Sequence, residues 1–469
     1  MSAAPRRPSR LGRAGAGCAL ACALASCATY PQRTAAALAD FERGHLEAAQ
    51  RAFAEPSTTG SAFLGGAEAG MVALAAGNWR AAEEHLQRAA AASREIEERA
   101  LLSPDALGES LVNLALSERA GAYKGEGYER VLVHASLALA YLAQGSLDGV
   151  FVEVQRANRL LEGEERLYKK EYAAGGLGHF VSALAYELLD RPDEAYIDYR
   201  RMQEKGVGTE LAGRALVRLA SRLRFDDDLR RWEELYGPDV ERPEGAASVV
   251  LIGGAGLAPQ KQETTIPIPT PDGLVQWSVP TYVRRWQWDG SLVLRSVGQG
   301  PGVRASTIED VAKVAEENLE DRIVWLAARS AVRAGLKFAL TRELQRKYDL
   351  VGRIAGDVLT FVSERADLRS WLTLPARWSA ARLFVEPGEH ELVVEAEGGE
   401  SRSLGRFRLE PGETMIVLAR SLGGRVHAHA IGGLSLRAME GSPPAAPRGE
   451  PPEPGSPRDH GPPQTRPGA

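Results

Sequence analysis

The chain is short of cysteine. Only Cys18, Cys22 and Cys27 carry a thiol among 469 residues, and none follows. Beyond residue 27 there can be no disulfide framework, no thiol nucleophile and no cysteine-based zinc cluster. Two other signatures are missing. No Gly-Lys-Ser/Thr stands at a glycine loop, and no Gly-x-Ser-x-Gly nucleophile elbow occurs. Later stretches are never apolar for long enough to cross a bilayer. Basic blocks are absent too. The formal charge of −5 becomes −9 once the four arginines ahead of Cys27 are removed, so nucleic acid is not an expected partner.

What is present begins at the N-terminus. Arg6, Arg7, Arg10 and Arg13 make a basic start, with no acid before Asp40, and a small apolar run follows from Ala14 to Ala25. That is the layout of a signal peptide, too short in its apolar part to remain as a membrane span. It closes on Leu24-Ala25-Ser26-Cys27, which resembles a lipobox. Small residues before the cut suit the peptidase, and the Cys27 sulfur is the nucleophile that takes the lipid. The alternative is an ordinary alanine-rich signal with an incidental cysteine. The lipobox reading makes residues 1–26 a lipoprotein signal peptide and the acylated Cys27 the link to a lipid bilayer. Ala28 is not the aspartate that marks inner-membrane retention, so an outer-membrane lipoprotein facing the periplasm is expected.

Residues 27–240 read as an all-α region rich in Ala, Leu, Glu and Arg. Phe41 to Ala49, ending in Phe53, overlays Leu74 to Ala82, ending in Leu86, at an offset of 33 residues. Gly145 with Leu147 follows two periods later, and Asp190 to Tyr199 repeats the phase. The pattern resembles the tetratricopeptide repeat, a pair of antiparallel helices in about 34 residues. The unit expected near residue 111 is not visible, and an alanine-rich bundle without true repeats is the other reading.

The character changes after Pro243. Val249 to Ile252 reads as a buried strand, and Pro267, Pro269 and Pro271 as extended chain at or outside a sheet edge. Thr281 to Trp288 and Ser291 to Val297 suggest a hairpin turning at Asp289-Gly290. A helix is expected over 307–347, started by a Ser306/Glu309 capping box, with Val311, Ala315, Leu319, Ile323 and Leu326 on one face. The segment 246–375 is therefore a mixed strand and long-helix region. Over 376–438, strands at Ala381 to Val385, Glu389 to Ala396, Arg402 to Leu409 and Thr414 to Ala419 suggest a small β-sandwich. It resembles the compact sandwiches named for a Pro-Glu-Gly-Ala turn, here Pro387-Gly388-Glu389. Residues 439–469, dense in Pro and Gly, are expected to be disordered. The expected class is α+β, with helical repeats first, then the mixed segment, then the sandwich.

Candidate chemistry is sparse. Gly253-Gly254-Ala255-Gly256 follows a strand, but Pro259 forbids the helix a dinucleotide loop needs, so a backbone turn is expected. His427 and His429 alternate on one strand face and make only half of a metal site, so an exposed strand face is expected. Arg329, Arg333 and Lys337 form a basic row at i, i+4, i+8, where like charges repel. Asp367, Arg369 and Trp371 stand nearby in sequence: Asp367 could pair with the row and Trp371 cover it. The row reads either as an anion pocket or, preferably, as an ion-pair cluster tying helix to β region.

The lipobox, Ala195-Tyr196-Ile197-Asp198-Tyr199, the Gly253-to-Pro259 loop with Lys261, the Arg329-to-Lys337 helix and Asp367-to-Pro375 occur in this order in a family of uncharacterised tetratricopeptide-containing lipoproteins of Gram-negative envelopes, which the chain resembles over about residues 27 to 425. The resemblance implies an envelope location and no known enzymatic activity. No cofactor, metal or catalytic constellation is expected. The expected role is a tethered scaffold that holds an envelope protein on its repeat surface. The alternative is a C-terminal half that binds an anionic ligand or glycan, or is an envelope enzyme.

Overall fold

The computed structural model describes residues 28–102, 123–239, 245–270, 273–285, 290–334 and 366–434. Cys27, its lipobox, the 111 region, Lys337 and the 439–469 tail lie outside them. The side chains of Arg329 and Arg333 also fall outside the described ones.

The first half is helical, in order α1 (Tyr30–Glu42), α2 (Leu46–Ala54), α3 (Pro56–Thr59), α4 (Ala62–Ala75), α5 (Trp79–Leu102), α6 (Gly127–Ala143), α7 (Leu147–Tyr168), α8 (Gly176–Leu188), α9 (Pro192–Glu204), α10 (Thr209–Leu223) and α11 (Asp226–Tyr236). Apart from the single-turn α3, each packs on the next, α2 reaching α4 directly. The turns follow one rule. Gly44, Gly77, Gly145 and Asp190 are all left-handed, with φ of +83°, +74°, +74° and +56°. In each, the amide of that residue donates to the carbonyl three back, and the next amide donates to the carbonyl five back. This closes one helix and starts the next two residues on. Five and nine residues past the turn the chain is buried every time: Ala49 and Phe53, Ala82 and Leu86, Val150 and Val154, Ala195 and Tyr199. The offsets expected from sequence are thus real as a repeated helix–turn–helix geometry.

Among the described residues eleven strands follow: β1 (Ala247–Ala255), β2 (Gln260–Thr270), β3 (Gly273–Val283), β4 (Leu292–Ser296), β5 (Val303–Arg304), β6 (Ser306–Asp310), β7 (Arg377–Val385), β8 (Gly388–Ala396), β9 (Ser401–Leu409), β10 (Thr414–Leu422) and β11 (Arg425–Leu434). A further helix, α12 (Val311–Ala334), lies between β6 and β7. One sheet runs β11-β10-β1-β7-β6, a second β5-β4-β8-β9, and β2 pairs with β3 alone. Among the described strands only the β1/β10 pairing is parallel. The run Val249-Val250-Leu251-Ile252 is central and buried on both faces. Val250 and Ile252 pack toward the helices, while Val249 and Leu251 pack toward the second sheet. The molecule is therefore three layers deep: helices, five-stranded sheet, four-stranded sheet. Burying each such side chain contributes roughly 1.5–3 kcal/mol.

Three expectations change here. The hairpin across Asp289-Gly290 does not form: β3 pairs with β2, and β4 pairs with β5 and β8. β4 is paired along both edges, by β5 and β8, which leaves no edge for the preceding chain, and residues 286–289 lie outside the described ones. Next, Ser306 to Asp310 is a strand on β7 and not a helix start. The helix begins at Val311, capped by Asp310, whose Oδ1 accepts from the Lys313 amide at 3.0 Å. Finally, the strands of 376–438 do not form a unit by themselves but are shared between two larger sheets. β7, β10 and β11 join β1, while β8 and β9 join β4, because β1 and β4 supply the apolar partners between them.

Candidate functional site

The helices meet the sheets through buried carboxylates, most of them supplied by the helical half and answered by the β half, with Glu309 of β6 running the other way. Glu68 interrupts the otherwise apolar and small α4 and is fully buried. Tyr30 Oη donates to it at 2.7 Å, and the Leu372 and Thr373 amides donate at 2.8 Å each. Burial raises its pKa against those donors. Glu129 on α6 accepts from Tyr123 Oη at 2.7 Å, from its own turn at Glu126 N, and from the Trp371 amide at 2.7 Å. Two helix carboxylates thus hold three consecutive amides of the 371–373 segment.

Glu126, at the start of α6, faces two cations, Lys261 of β2 and Arg322 of α12. Burial would lift this carboxyl, but Arg322 and Lys261 outweigh it and hold the pKa at about 2. The Lys261 ammonium also lies over the rings of Tyr123 and Tyr282, 5.6 and 5.8 Å from their centroids. Tyr282 in turn shares a hydroxyl hydrogen bond of 2.8 Å with Tyr128. Beside this, Arg130 pairs with Glu164 at 2.9 Å, and Asn318 of α12 donates to the same carboxylate at 3.3 Å. Gly127 makes room for it, since a Cβ there would lie 2.2 Å from Glu164 Oε2. Two outer contacts complete the seam. Glu187 of α8 takes Arg382 of β7 through both oxygens at 2.7 and 2.9 Å, and Arg218 at 2.8 Å. Glu309 of β6 accepts from the Gly175 and Leu177 amides at the start of α8, 3.0 Å each. Burial pushes the Glu309 carboxyl up to about 7 against those amides.

These carboxylates are used up by partners inside the protein. They cannot act as general acids or bases on an outside substrate, and their work is to fix helices to sheets. Among the described residues no three of His, Cys, Asp and Glu gather as a metal site.

Of the sequence-derived candidates, Asp367, Arg369 and Trp371 land on or beside this seam. Trp371 is fully buried, its Nε1 donating to Thr373 Oγ1 at 3.1 Å. Asp367 binds Arg369, two residues on, at 2.8 Å, and the Arg369 guanidinium lies over the Tyr123 ring at 5.2 Å. Arg329 and Arg333 belong to α12, but their side chains and Lys337 lie outside the described residues, and so does the ion-pair cluster expected of the row. The glycine run expected as a turn is mostly strand: Gly253, Gly254 and Ala255 close β1, paired with β10 and β7, and the chain leaves the sheet only at Gly256 before entering β2. Gly253 and Gly254 admit Leu292 and Pro375, whose atoms would lie 2.2 and 2.6 Å from added Cβ atoms.

His427 and His429 are not on an open strand face. Both are half-buried against helical turns. His429 Nε2 donates to the Ala75 carbonyl at 3.0 Å, and its ring meets Trp79 edge-on. His427 reaches the Gly44 turn, its Cε1 3.3 Å from where a Cβ would stand. The strand face was legible, but the layer covering it was not.

Sequence reading missed Glu68, Glu126, Glu129 and Arg420, and took Glu309 for a helix cap. A signal existed for two of them. Glu68 and Arg420 each stand alone inside an apolar run, and a lone charge there must be buried with partners or pay desolvation. No protein-family model matches the chain, nor does any curated protein or solved structure.

Proposed function

We propose that this chain is a lipoprotein of a Gram-negative envelope, held on a membrane by acylated Cys27, which presents a tetratricopeptide-like helical array as a protein-binding scaffold without catalysis of its own. The observation that supports it best is the recurrence of one turn geometry at Gly44, Gly77, Gly145 and Asp190. Hairpins stacked by a constant turn build an extended surface, the usual basis of partner binding in repeat proteins. Seven residues past each turn the side chain is exposed: Arg51, Glu84, Val152 and Ile197. In the last two units that position is apolar, with Val152 48% and Ile197 45% exposed. Aliphatic side chains recurring at an outward position suit a protein partner better than they suit solvent. The resemblance to envelope lipoproteins and the sandwich-like arrangement of the two sheets fit the same reading.

The test is a photo-crosslinking residue placed at 152, at 197 and, as control, at Arg51, in the full-length protein in its own cells. A discrete adduct from 152 or 197, absent at 51, is expected. No adduct from either position would remove the basis for the scaffold.

A further inference from the structure

A groove of about 500 Å³ opens where the α1–α2 turn meets β9 and β11. Arg43, Arg402 and Arg425 stand around it with His427, over an apolar floor that includes Leu46 and Val426. Two acids, Glu47 and Glu400, also reach it, but Glu47 leans on Arg51 at 3.7 Å. The cations are only partly answered. Arg43 has Asp40 at 3.6 Å, Arg425 Nη1 donates to the Arg43 carbonyl, and Arg402 makes no ion pair among the described residues.

Donors converge at one point. His427 Nε2 and Arg425 Nη1 lie 3.5 and 3.6 Å from the position a Cβ would take on Gly44, which glycine leaves open. His427 makes no hydrogen bond among the described residues. A further cation stands behind it. Arg420, the cross-strand neighbour of His427, is 2% exposed and meets no carboxylate. Its Nη atoms donate to the carbonyls of Ser421, Gly256 and Thr373, and its Nε has no partner. Burial and then the Arg285 guanidinium lower its pKa to about 9, which still leaves it charged at neutral pH. Burial, and after it His429 and Arg420, likewise lower the pKa of His427.

We propose that this groove binds the phosphate group of a small polar molecule, with Arg43, Arg402 and Arg425 gripping the oxygens and His427 donating to one of them. Guanidinium forks match phosphate oxygens in pairs, and the buried Arg420 charge adds attraction without needing contact. The volume fits a ligand of sugar-phosphate size. A metal is disfavoured by the surrounding cations and by the use of His429 on the Ala75 carbonyl. A nucleic-acid strand is disfavoured by the acidic whole chain. The phosphate can belong to a free sugar phosphate or to a lipid headgroup. The site is independent of the scaffold reading.

Isothermal titration of the full-length protein in detergent at low salt tests it. The probes are inorganic phosphate, glucose 6-phosphate, dihexanoyl-phosphatidylglycerol and, as the neutral control, glucose. Saturable binding of a phosphate probe is expected, with none for glucose. Arg402→Glu, on an exposed side chain, should weaken binding about tenfold or more, and Arg425→Gln should act in the same direction. Binding of the sugar phosphate assigns the site to a free ligand, and binding of the lipid alone assigns it to a headgroup. No saturation by any phosphate probe, or equal affinity in Arg402→Glu, overturns the proposal.

Discussion

His429 stands on Gly77, so close that a Cβ on that glycine would lie 2.6 Å from its Nδ1. Two residues back, His427 stands on Gly44 in the same way. The two-residue period of β11 therefore matches the 33-residue period of the helical turns, one histidine to each. The edge strand is docked on the repeat, and the turn glycines carry two duties: a left-handed backbone and space for an imidazole.

That relationship sets the first prediction. Gly77→Ala keeps a strained φ of +74° and drives a methyl group into the His429 ring. A loss of about 2 kcal/mol or more is expected. The opposite change is available at Asp190, which holds the equivalent turn with φ of +56°. Its pair with Arg222 is exposed on both sides and contributes little. Asp190→Gly should therefore leave stability unchanged or raise it. Denaturant melts of both variants decide this, and equal losses would refute the shared turn.

Glu126 is the second. Replacing it with Gln removes the buried charge that Lys261 and Arg322 share, a loss of roughly 3–5 kcal/mol. Adding Lys261→Met should recover part of that loss, since one stranded cation goes with it. A double variant no more stable than Glu126→Gln would show that Lys261 matters through its packing on Tyr123 and Tyr282 instead.

Stability should fall as pH rises. His134 lies between Glu153, at 2.5 Å, and Glu97, at 3.3 Å. Burial opposes its charge, but those two acids prevail and raise its pKa to about 9. The folded state thus holds a proton that the unfolded chain releases near 6.5. The contribution is full below pH 6.5 and is lost as pH climbs through 9, by ~3 kcal/mol at most. Glu309 acts earlier. Its pKa of about 7 exceeds the ordinary 4.5, so folding binds a proton there too, and stability declines from about pH 4.5 to 7. Thermal melts across pH 5 to 9 should show this decline. His134→Gln should flatten its upper part and Glu309→Gln its lower part. A wild-type melting temperature equal at pH 6 and pH 9 would contradict the His134 assignment.

The anchor is tested by Cys27→Ala. Labelling with a fatty-acid analogue should vanish and the protein should remain unprocessed or leave the membrane. A mutant that still takes the label would exclude this cysteine as the lipid site.

Sequence alone determined what is local. A left-handed turn is least strained at glycine or a short polar residue, so Gly44, Gly77, Gly145 and Asp190 could be found from spacing, whereas Lys169 and Arg224 hold the same conformation without that signal. A continuous apolar run such as Val249 to Ile252 has to be covered on both sides wherever it lies. The tertiary structure alone decided which distant partner claims each group. Ser306-x-x-Glu309 reads as a capping box because the box is a local pattern. Yet the carboxylate bonds the Gly175 amide 134 residues earlier, and its segment becomes a strand. The same holds for the docking of His427 and His429 on Gly44 and Gly77. Strand alternation places two imidazoles on one face, but only the layer packed against that face determines that one is consumed by Ala75 and the other left facing a groove. Hydrogen bonds and ion pairs act within about 3–4 Å, and only folding brings residues remote in sequence to that distance.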